Sequence, residues 1–109
     1  IRRLQAYQDA GADVLFAPGL RTREDIAAVV SSVDRPVNVL MGMEGVRLTV
    51  ADLEALGVKR ISVGGSFARA AYGAFLRAAA EIKEHGSFRY ADDAISGRDI
   101  TRRLRAPAG

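Results

Sequence analysis

The chain has 109 residues, of which 49% are hydrophobic and 6% aromatic, and its formal net charge is +3. This length fits one small domain with a core of small aliphatic residues. The absence of cysteine excludes a disulfide framework and a thiolate metal site, and with a single histidine we expect no structural zinc.

The first predicted elements are a helix and a short strand. Residues Ile1–Ala10 have Leu4 and Tyr7 at helical spacing, and Gly11 ends this helix because glycine readily adopts the left-handed conformation. The continuous apolar run Val14–Ala17 then predicts a strand that is buried on both faces, as in parallel sheets.

A second helix and a second strand follow in the same order. Thr22 is placed to cap the helix, and Asp25 lies where its carboxylate can reach back to the first turn. Pro36 breaks the chain before the second predicted strand, Val37–Leu40. The apolar positions that give this helix a buried face are Ile26, Val29, Val30 and Val33.

The third repeat of this order leads into the longest predicted helix. Thr49 and Asp52 repeat the capping pattern, and the strand Arg60–Val63 follows. Ser66 is placed to cap an alanine-rich helix, Phe67–His85, which has small residues on several faces and therefore suits close packing on more than one side. The buried positions of the preceding short helix are Leu53 and Leu56.

The end of the sequence has a different character. Tyr90–Asp93 is acidic and predicts a loop, Ser96 is placed to cap one more short helix, and Ala106–Gly109 predicts a disordered end. We therefore divide the chain into βα units at residues 1–88 and a tail with a short helix at residues 89–109.

Strands that alternate with helices predict an α/β fold with a parallel sheet, because the helices supply right-handed crossovers. Three such strands leave two open edges, whereas a closed (β/α)8 barrel needs more than about 200 residues. We expect the missing strands to belong to residues outside this sequence or to a partner. The first residue, Ile1, already lies in a helical pattern, so we expect a piece of a longer protein.

The basic residues do not indicate a nucleic-acid-binding protein, although the pI is about 9.8. Most arginines lie beside acidic residues on predicted helices, which is typical of a solvated surface. The densest basic run, Arg102–Arg105, lacks the aromatic residues on which bases stack. No apolar run approaches the roughly 20 residues of a membrane span, and no signal peptide is visible. We expect a cytoplasmic protein with no membrane partner.

In a βα barrel, the reacting groups lie where strands end and helices begin. This rule selects Pro18–Leu20, Asn38 together with Leu40–Gly45, and the run Gly64, Gly65 and Ser66. The last run opens a helix, so its backbone amides can bind a phosphate or a carboxylate. Its glycines can equally serve only to permit a tight turn and close packing.

Asn38 is the most informative candidate, because it is an amide inside an otherwise apolar strand and needs hydrogen-bond partners. Its NH2 group can bind a substrate carboxylate, or the side chain can be a core amide satisfied by neighbouring backbone. Glu44 is either an acid or base or a solvated loop residue, and Arg69 either binds an anion or pairs with a carboxylate. For Tyr72 and His85 we expect packing and helix-dipole roles. The sequence contains no pattern for a nucleophile–base pair or a metal cluster.

Several runs resemble the isocitrate lyase / phosphoenolpyruvate mutase superfamily. Residues Leu4–Phe16 read LQAYQDAGADVLF, which is similar to the family's AYxxAGAD signature across its fifth helix and sixth strand. Arg35–Val39 (RPVNV) resembles the seventh strand, and Leu53–Ser62 resembles the approach to the eighth. Ala68–Ala71 is similar to the start of the eighth helix. The chain is thus expected to be the C-terminal part, about strands 6–8 and the following helices, of a (β/α)8 barrel.

The resemblance implies a Mg²⁺-dependent enzyme that acts on small 2-oxo acids or related carboxylates, with an enolate held on the metal during C–C or P–C bond chemistry. The family's metal ligands lie on earlier strands, so we expect them outside this sequence. Carried over by position, Asn38 matches the asparagine that binds the substrate carboxylate in the lyases, and Gly64, Gly65 and Ser66 match the end of the eighth strand.

Two departures matter for the type of enzyme. The lyases have a glutamate where this sequence has Pro18, and a Thr-Glu-Phe-Gly-like run where it has Leu40–Gly42. Both favour a mutase-like branch over an isocitrate or methylisocitrate lyase. Family members also exchange their eighth helix between subunits, which implies a homo-oligomer exchanging Phe67–His85. In that assembly we expect Phe75, Leu76 and Phe88 to be buried by another subunit.

Two alternatives to this enzyme stay open. One is a non-catalytic half-barrel module that assembles with another chain and binds an anion. The other is an unrelated phosphate-binding barrel, whose anion site is the glycine-rich end of the last strand.

Overall fold

The computed structural model describes residues 1–105, and its helices and strands alternate in the predicted order. The chain forms two compact units, Ile1–Ala68 and a second that begins at Arg69. The predicted disordered end, Ala106–Gly109, lies outside the described residues. The elements are α1 (Arg2–Asp9), β1 (Leu15–Phe16), α2 (Arg23–Val30), β2 (Val37–Leu40), α3 (Val50–Ala55), β3 (Arg60–Ser62), α4 (Ser66–His85), a 3₁₀ helix (Arg89–Asp93) and α5 (Gly97–Arg105).

The strands of the first unit form one parallel sheet in the order β1-β2-β3. In its register, Leu15 is paired with Val37, and Asn38 lies between Phe16 on one side and Arg60 on the other. The prediction of three parallel neighbours is therefore confirmed. Because the strands are parallel, the segments that follow them lie at one common end of the sheet.

The core lies on the face of the sheet that the helices cover. Leu15, Val37 and Val39 point to this face, and all three are almost completely buried. They pack in one cluster with the apolar stripes of the first three helices. The helical members of this cluster are Leu4, Ile26, Val29 and Leu53. The predicted apolar spacing of α2 and α3 thus fills the space above the sheet.

The burial predicted for the first strand is wrong in part. Val14 is 46% exposed and Phe16 is 45% exposed, whereas Leu15 between them is buried. Successive side chains of a strand point to opposite faces, and β1 is an edge strand of the described sheet. The helices therefore cover Leu15, whereas Val14 and Phe16 on the other face stay exposed. In the central strand β2, the successive residues Val37, Asn38 and Val39 are all buried, so both faces of this strand are covered.

Two glutamines join α1 to the turn that precedes β2. The Gln8 Oε1 atom accepts hydrogen bonds from the backbone amides of Asp34 at 2.7 Å and Arg35 at 3.2 Å. The Gln5 side chain donates to the carbonyl oxygen of Ser32 at 3.0 Å. These bonds satisfy backbone groups that the turn itself leaves unpaired.

The predicted threonine caps are confirmed at both helices. Thr22 accepts a hydrogen bond from the backbone amide of Asp25, and Thr49 accepts one from that of Asp52. At α3 the Asp52 carboxylate also accepts from the Thr49 backbone amide, which completes a capping box. Among the described residues, the expected return bond from the Asp25 carboxylate is not formed.

Two local features were predicted from the sequence only in part. Ser66, predicted as a cap, is itself the first residue of α4, and in the second unit the segment predicted as an acidic loop contains the 3₁₀ helix. The Glu81 carboxylate organises this segment, because it accepts hydrogen bonds from Ser87 Oγ at 2.5 Å and from the backbone amides of Arg89 and Tyr90 at 2.6 and 3.0 Å. The hydrogen bond from the Ser87 hydroxyl is the largest cause of the lowered pKa of Glu81.

The predicted cap of the last helix is confirmed, since Ser96 Oγ accepts from the backbone amide of Asp99 at 3.1 Å. Within the part of the chain that the structure describes, no helix is long and apolar enough to cross a membrane. The division into residues 1–88 and a tail at 89–109 stays a prediction.

The capping box predicts how acid affects stability. Its bonds from Thr49, together with the Arg23 guanidinium, lower the pKa of Asp52 from 3.8 to about 2. The ionised carboxylate therefore stabilises the fold above pH 3.8, and this contribution is lost as the pH falls through about 2. We expect Asp52→Asn to lower the melting temperature at pH 7 and to flatten its decline between pH 4 and pH 2, as followed by circular dichroism.

The matched control is Asp25→Asn, which changes the same helix position of α2, where no return bond is formed among the described residues. An Asp52→Asn variant that loses stability with acid as steeply as the unmodified protein would contradict the role given to the capping box.

Candidate functional site

The loops that follow the three strands contact one another at the carboxyl end of the sheet. The Arg21 side chain, after β1, donates to the backbone carbonyl of Glu44, after β2, at 2.6 Å. The backbone amide of Met41 donates to the carbonyl oxygen of Ser62 at 2.8 Å. These contacts join the loop after β2, one of the three segments selected from the sequence, to the residue that follows Pro18–Leu20 and to the end of β3.

The closest approach between these loops is between Gly42 and Ser66. Gly42 has a φ of +77°, and a Cβ atom there would lie 2.5 Å from the Ser66 Oγ atom and 2.7 Å from its Cβ. Both facts require glycine, because other residues rarely adopt this φ and because no side chain fits. The loop after β2 is thus packed directly against the first turn of α4.

The run Gly64, Gly65 and Ser66 forms the turn between β3 and α4. Gly64 has a φ of +49°, and the Ser66 backbone amide donates to the carbonyl oxygen of Val63 at 3.0 Å. Both glycines are exposed and Ser66 is half-buried. The tight-turn explanation therefore accounts for Gly64, while binding of an anion by this run stays a prediction.

Asn38 is the single buried polar side chain among the described residues, at 2% exposure. Its Nδ2 atom donates to the Ser62 Oγ atom at 3.1 Å, and the Ser62 hydroxyl donates to the carbonyl oxygen of Val39 at 3.4 Å. The Oδ1 atom of Asn38 is buried and has no hydrogen-bond partner among the described residues. A buried amide oxygen normally has a partner, so this atom marks an incomplete polar site.

Ser62 is a site residue that the sequence reasoning missed. It lies on β3 beyond Arg60, which is the partner of Asn38 in the register. Side chains two positions apart on a strand share a face. Ser62 therefore lies on the same face of the sheet as Asn38, and its hydroxyl reaches the Asn38 amide diagonally. The available signal was a hydroxyl-bearing residue near the carboxyl end of an apolar strand, next to the strand that carries the asparagine.

The other candidates lie on the loop after β2 and on α4. Glu44 is exposed, and the loop is held through its backbone carbonyl. Arg69, Tyr72 and His85 are exposed residues of α4. Tyr72 is 68% exposed, so its predicted packing is not formed within the described chain, whereas His85 does lie in the last turn as expected for a dipole role.

The metal predicted from the resemblance has no ligand set in this part of the chain. Among the described residues, no group of three or more histidine, aspartate or glutamate side chains is arranged to hold a metal ion. The buried Asn38 oxygen is a single donor, and Mg²⁺ requires several oxygen ligands. The residues present therefore do not by themselves form a magnesium site.

Comparisons with known proteins agree with the sequence motifs. A family model described as phosphoenolpyruvate phosphomutase matches residues 1–83. The phosphonopyruvate hydrolase of Variovorax sp. (strain Pal2) is 39% identical over 98 residues, which cover 87% of this chain and 34% of that protein. The chain spans about a quarter to a third of the length of the curated relatives it matches.

Solved structures give the same relationship. A Burkholderia cenocepacia J2315 protein, provisionally described as a lyase/mutase, superposes with a TM-score of 0.91 at 57% identity, over 97% of this chain and 38% of that one. An oxaloacetate acetylhydrolase solved with its product oxalate superposes with a TM-score of 0.78 at 25% identity, over 93% of this chain and 36% of that one.

The contact between Gly42 and Ser66 yields a matched pair of variants. Gly45 has a φ of +79° but nothing within 4 Å of an added Cβ. Gly45→Ala should therefore lower the free energy of unfolding only by the cost of placing alanine at a positive φ, roughly 1–2 kcal/mol. We expect Gly42→Ala to cost at least about 1 kcal/mol more in urea unfolding, because its methyl group also displaces Ser66.

Ser66→Gly should relieve most of this excess, since it removes the atoms that the methyl group meets. Equal losses for the two alanine variants would mean that the loops do not pack together in the way described.

Proposed function

The chain belongs to the phosphoenolpyruvate mutase family, and we propose that it supplies the C-terminal βα units of a (β/α)8 barrel enzyme that acts on small 2-oxo acids or related carboxylates. The observation that carries this proposal is the buried amide of Asn38, which has an unpartnered oxygen and reaches from the central strand to Ser62 at the carboxyl end of β3. Barrel enzymes bind their substrates at this end of the sheet.

The extent of the chain supports a shared active site. It covers roughly a third of the relatives' length, and its sheet has two open edges. The remaining strands of the barrel, with the acidic residues expected to hold Mg²⁺, would come from residues outside this sequence. A bound Mg²⁺ would act as a Lewis acid that stabilises the negative charge of an enolate.

The part that this chain plays is to bind and orient the substrate. Asn38 is placed to hydrogen-bond the substrate inside the barrel, and Gly64, Gly65 and Ser66 are placed to present backbone amides to a carboxylate or phosphonate at the barrel mouth. The names of the relatives include a hydrolase of phosphonopyruvate and an acetylhydrolase of oxaloacetate. Both names point to a small 2-oxo acid, and we expect such a substrate, and a cytoplasmic location, for this protein.

The exposed apolar side chains of α4 support a homo-oligomer. Tyr72, Phe75 and Leu76 lie three and four residues apart, so they share one helix face, and each is more than 60% exposed. Phe88, beyond the helix, is 63% exposed. Contiguous apolar surface of this kind is typical of protein–protein contacts, and we propose that a second copy covers it by exchanging Phe67–His85.

Turnover is the direct test of this function. With Mg²⁺, we expect the full-length protein to convert oxaloacetate or phosphonopyruvate, and the 109-residue chain alone to convert neither. Asn38→Ala should lower kcat/KM about ten- to a hundredfold, because removing one partner of a buried hydrogen bond costs roughly 1–3 kcal/mol.

Gln5→Ala is a suitable control for this change. It also removes a side-chain amide that makes one hydrogen bond, at 3.0 Å to the carbonyl oxygen of Ser32 in the turn before β2, and it should leave kcat/KM within about twofold. An Asn38→Ala variant with unchanged kcat/KM would make Asn38 a core residue without a role in binding.

Light scattering tests the assembly. We expect a dimer or a dimer of dimers for the full-length protein, and smaller species for the double variant Phe75→Glu, Leu76→Glu, because buried charges disfavour the contact. Val50→Glu changes an apolar residue that is equally exposed, at 70%, but lies on α3, and it should not change the mass. A strict monomer at micromolar concentration would exclude helix exchange.

A further inference from the structure

The hydroxyl of Ser62 determines which end of the Asn38 amide is held. A serine hydroxyl carries one hydrogen, and in this structure it is directed to the carbonyl oxygen of Val39 at 3.4 Å. Ser62 Oγ can then only accept a hydrogen bond from Asn38, and it does so from Nδ2 at 3.1 Å. The NH2 end of the amide is therefore bound to Ser62, and the carbonyl end points away from it.

The chemistry of the remaining atom follows from this arrangement. Asn38 Oδ1 is an acceptor, it is buried, and no donor among the described residues reaches it. An unpaired buried acceptor is costly, so a donor is expected when the site is complete. A carboxylate carries no hydrogen at neutral pH and cannot be that donor, whereas a hydroxyl group can.

The amide can be reached without moving the sheet. Its two neighbours in the register are Phe16 and Arg60. Phe16 is 45% exposed and Arg60 is also exposed. Exposed side chains change rotamer readily, so a small ligand can approach the amide from the face of the sheet opposite the helices.

We propose that Ser62 is a positioning residue, which orients the Asn38 amide so that Oδ1 accepts a hydrogen bond from a hydroxyl group of the substrate. This inference rests on the proposed function, because it takes Asn38 as a substrate contact. It narrows the substrate class to small carboxylic acids that present a hydroxyl, either as a hydroxy acid or as the enol of a 2-oxo acid. The sequence reasoning assigned the NH2 group of Asn38 to a carboxylate, and the bond to Ser62 favours the carbonyl oxygen instead.

Two probes that differ in one hydroxyl group test the proposal directly. Calorimetric titration of the full-length protein, with Mg²⁺ present, compares racemic 2-hydroxysuccinate with succinate. We expect the hydroxylated probe to bind at least about tenfold more tightly, since an unmatched buried polar group discriminates strongly against an analogue that lacks its partner.

Variants of Ser62 separate positioning from a purely structural role. Ser62→Ala should bring the ratio of the affinities for the two probes close to one, because the Asn38 amide is then free to rotate. Ser62→Thr keeps the hydroxyl and should retain the preference. In an Asn38→Ala background, Ser62→Ala should have no further effect on the preference, since the two residues act through one contact.

Ser31→Ala is the matched control, because it removes a serine hydroxyl bonded only to the Ala28 carbonyl oxygen of its own helix. Melting temperatures check that each variant is folded. If Ser62→Ala does not fold, Ser62→Thr still tests whether a hydroxyl at this position maintains the preference.

Equal affinity for the two probes, failure to bind either, or a preference that Ser62→Ala leaves intact would each overturn the proposal. The measurement does not depend on turnover. A protein that shows the preference but converts no 2-oxo acid would refute the proposed reaction alone, and turnover without the preference would refute this inference alone.

Discussion

Backbone amide and carbonyl groups along the edges of a parallel sheet require hydrogen-bond partners, and the rest of this structure depends on that requirement. The described sheet has β1 at one edge and β3 at the other. The helices α1, α2 and α3 pack on the face where Leu15, Val37 and Val39 are buried. The open edges are explained if further parallel strands continue the sheet into a barrel, as proposed from the family to which the chain belongs.

The same arrangement gives the site its chemistry. On the face opposite the helices, the central strand carries Asn38, and the neighbouring strand carries Ser62 within hydrogen-bond distance. Burial makes the unpartnered oxygen of Asn38 significant, because an exposed amide would be satisfied by water. The loop contacts between Gly42 and Ser66 and between Arg21 and Glu44 hold the rim above this pair. In the proposed enzyme this pair binds the substrate, and the reactive groups come from the rest of the barrel.

Local signals explain why the order of elements was predictable from the sequence. The caps at Thr22 and Thr49, the breaks at glycine and Pro36, and the spacing of apolar residues act within one turn or one strand. Features that depend on distant neighbours were not predictable. The exposure of Phe16 follows from the edge position of β1, and the contact of Ser62 with Asn38 follows from the register between β2 and β3. No pattern within a strand indicates which hydroxyl will face a given amide.

Amide hydrogen exchange at the two sheet edges tests the central claim most directly. In a parallel sheet, alternate residues of an edge strand direct their amides outwards. The Leu15 amide bonds to the carbonyl oxygen of Pro36, just before β2, and the Lys59 amide bonds to that of Val37, so the amides of Phe16 and Arg60 face away from β2. We predict slow exchange at Phe16 and Arg60 in the full-length protein and fast exchange in the 109-residue chain alone. Fast exchange at both positions in the full-length protein would show that no strands continue this sheet, and it would contradict the barrel.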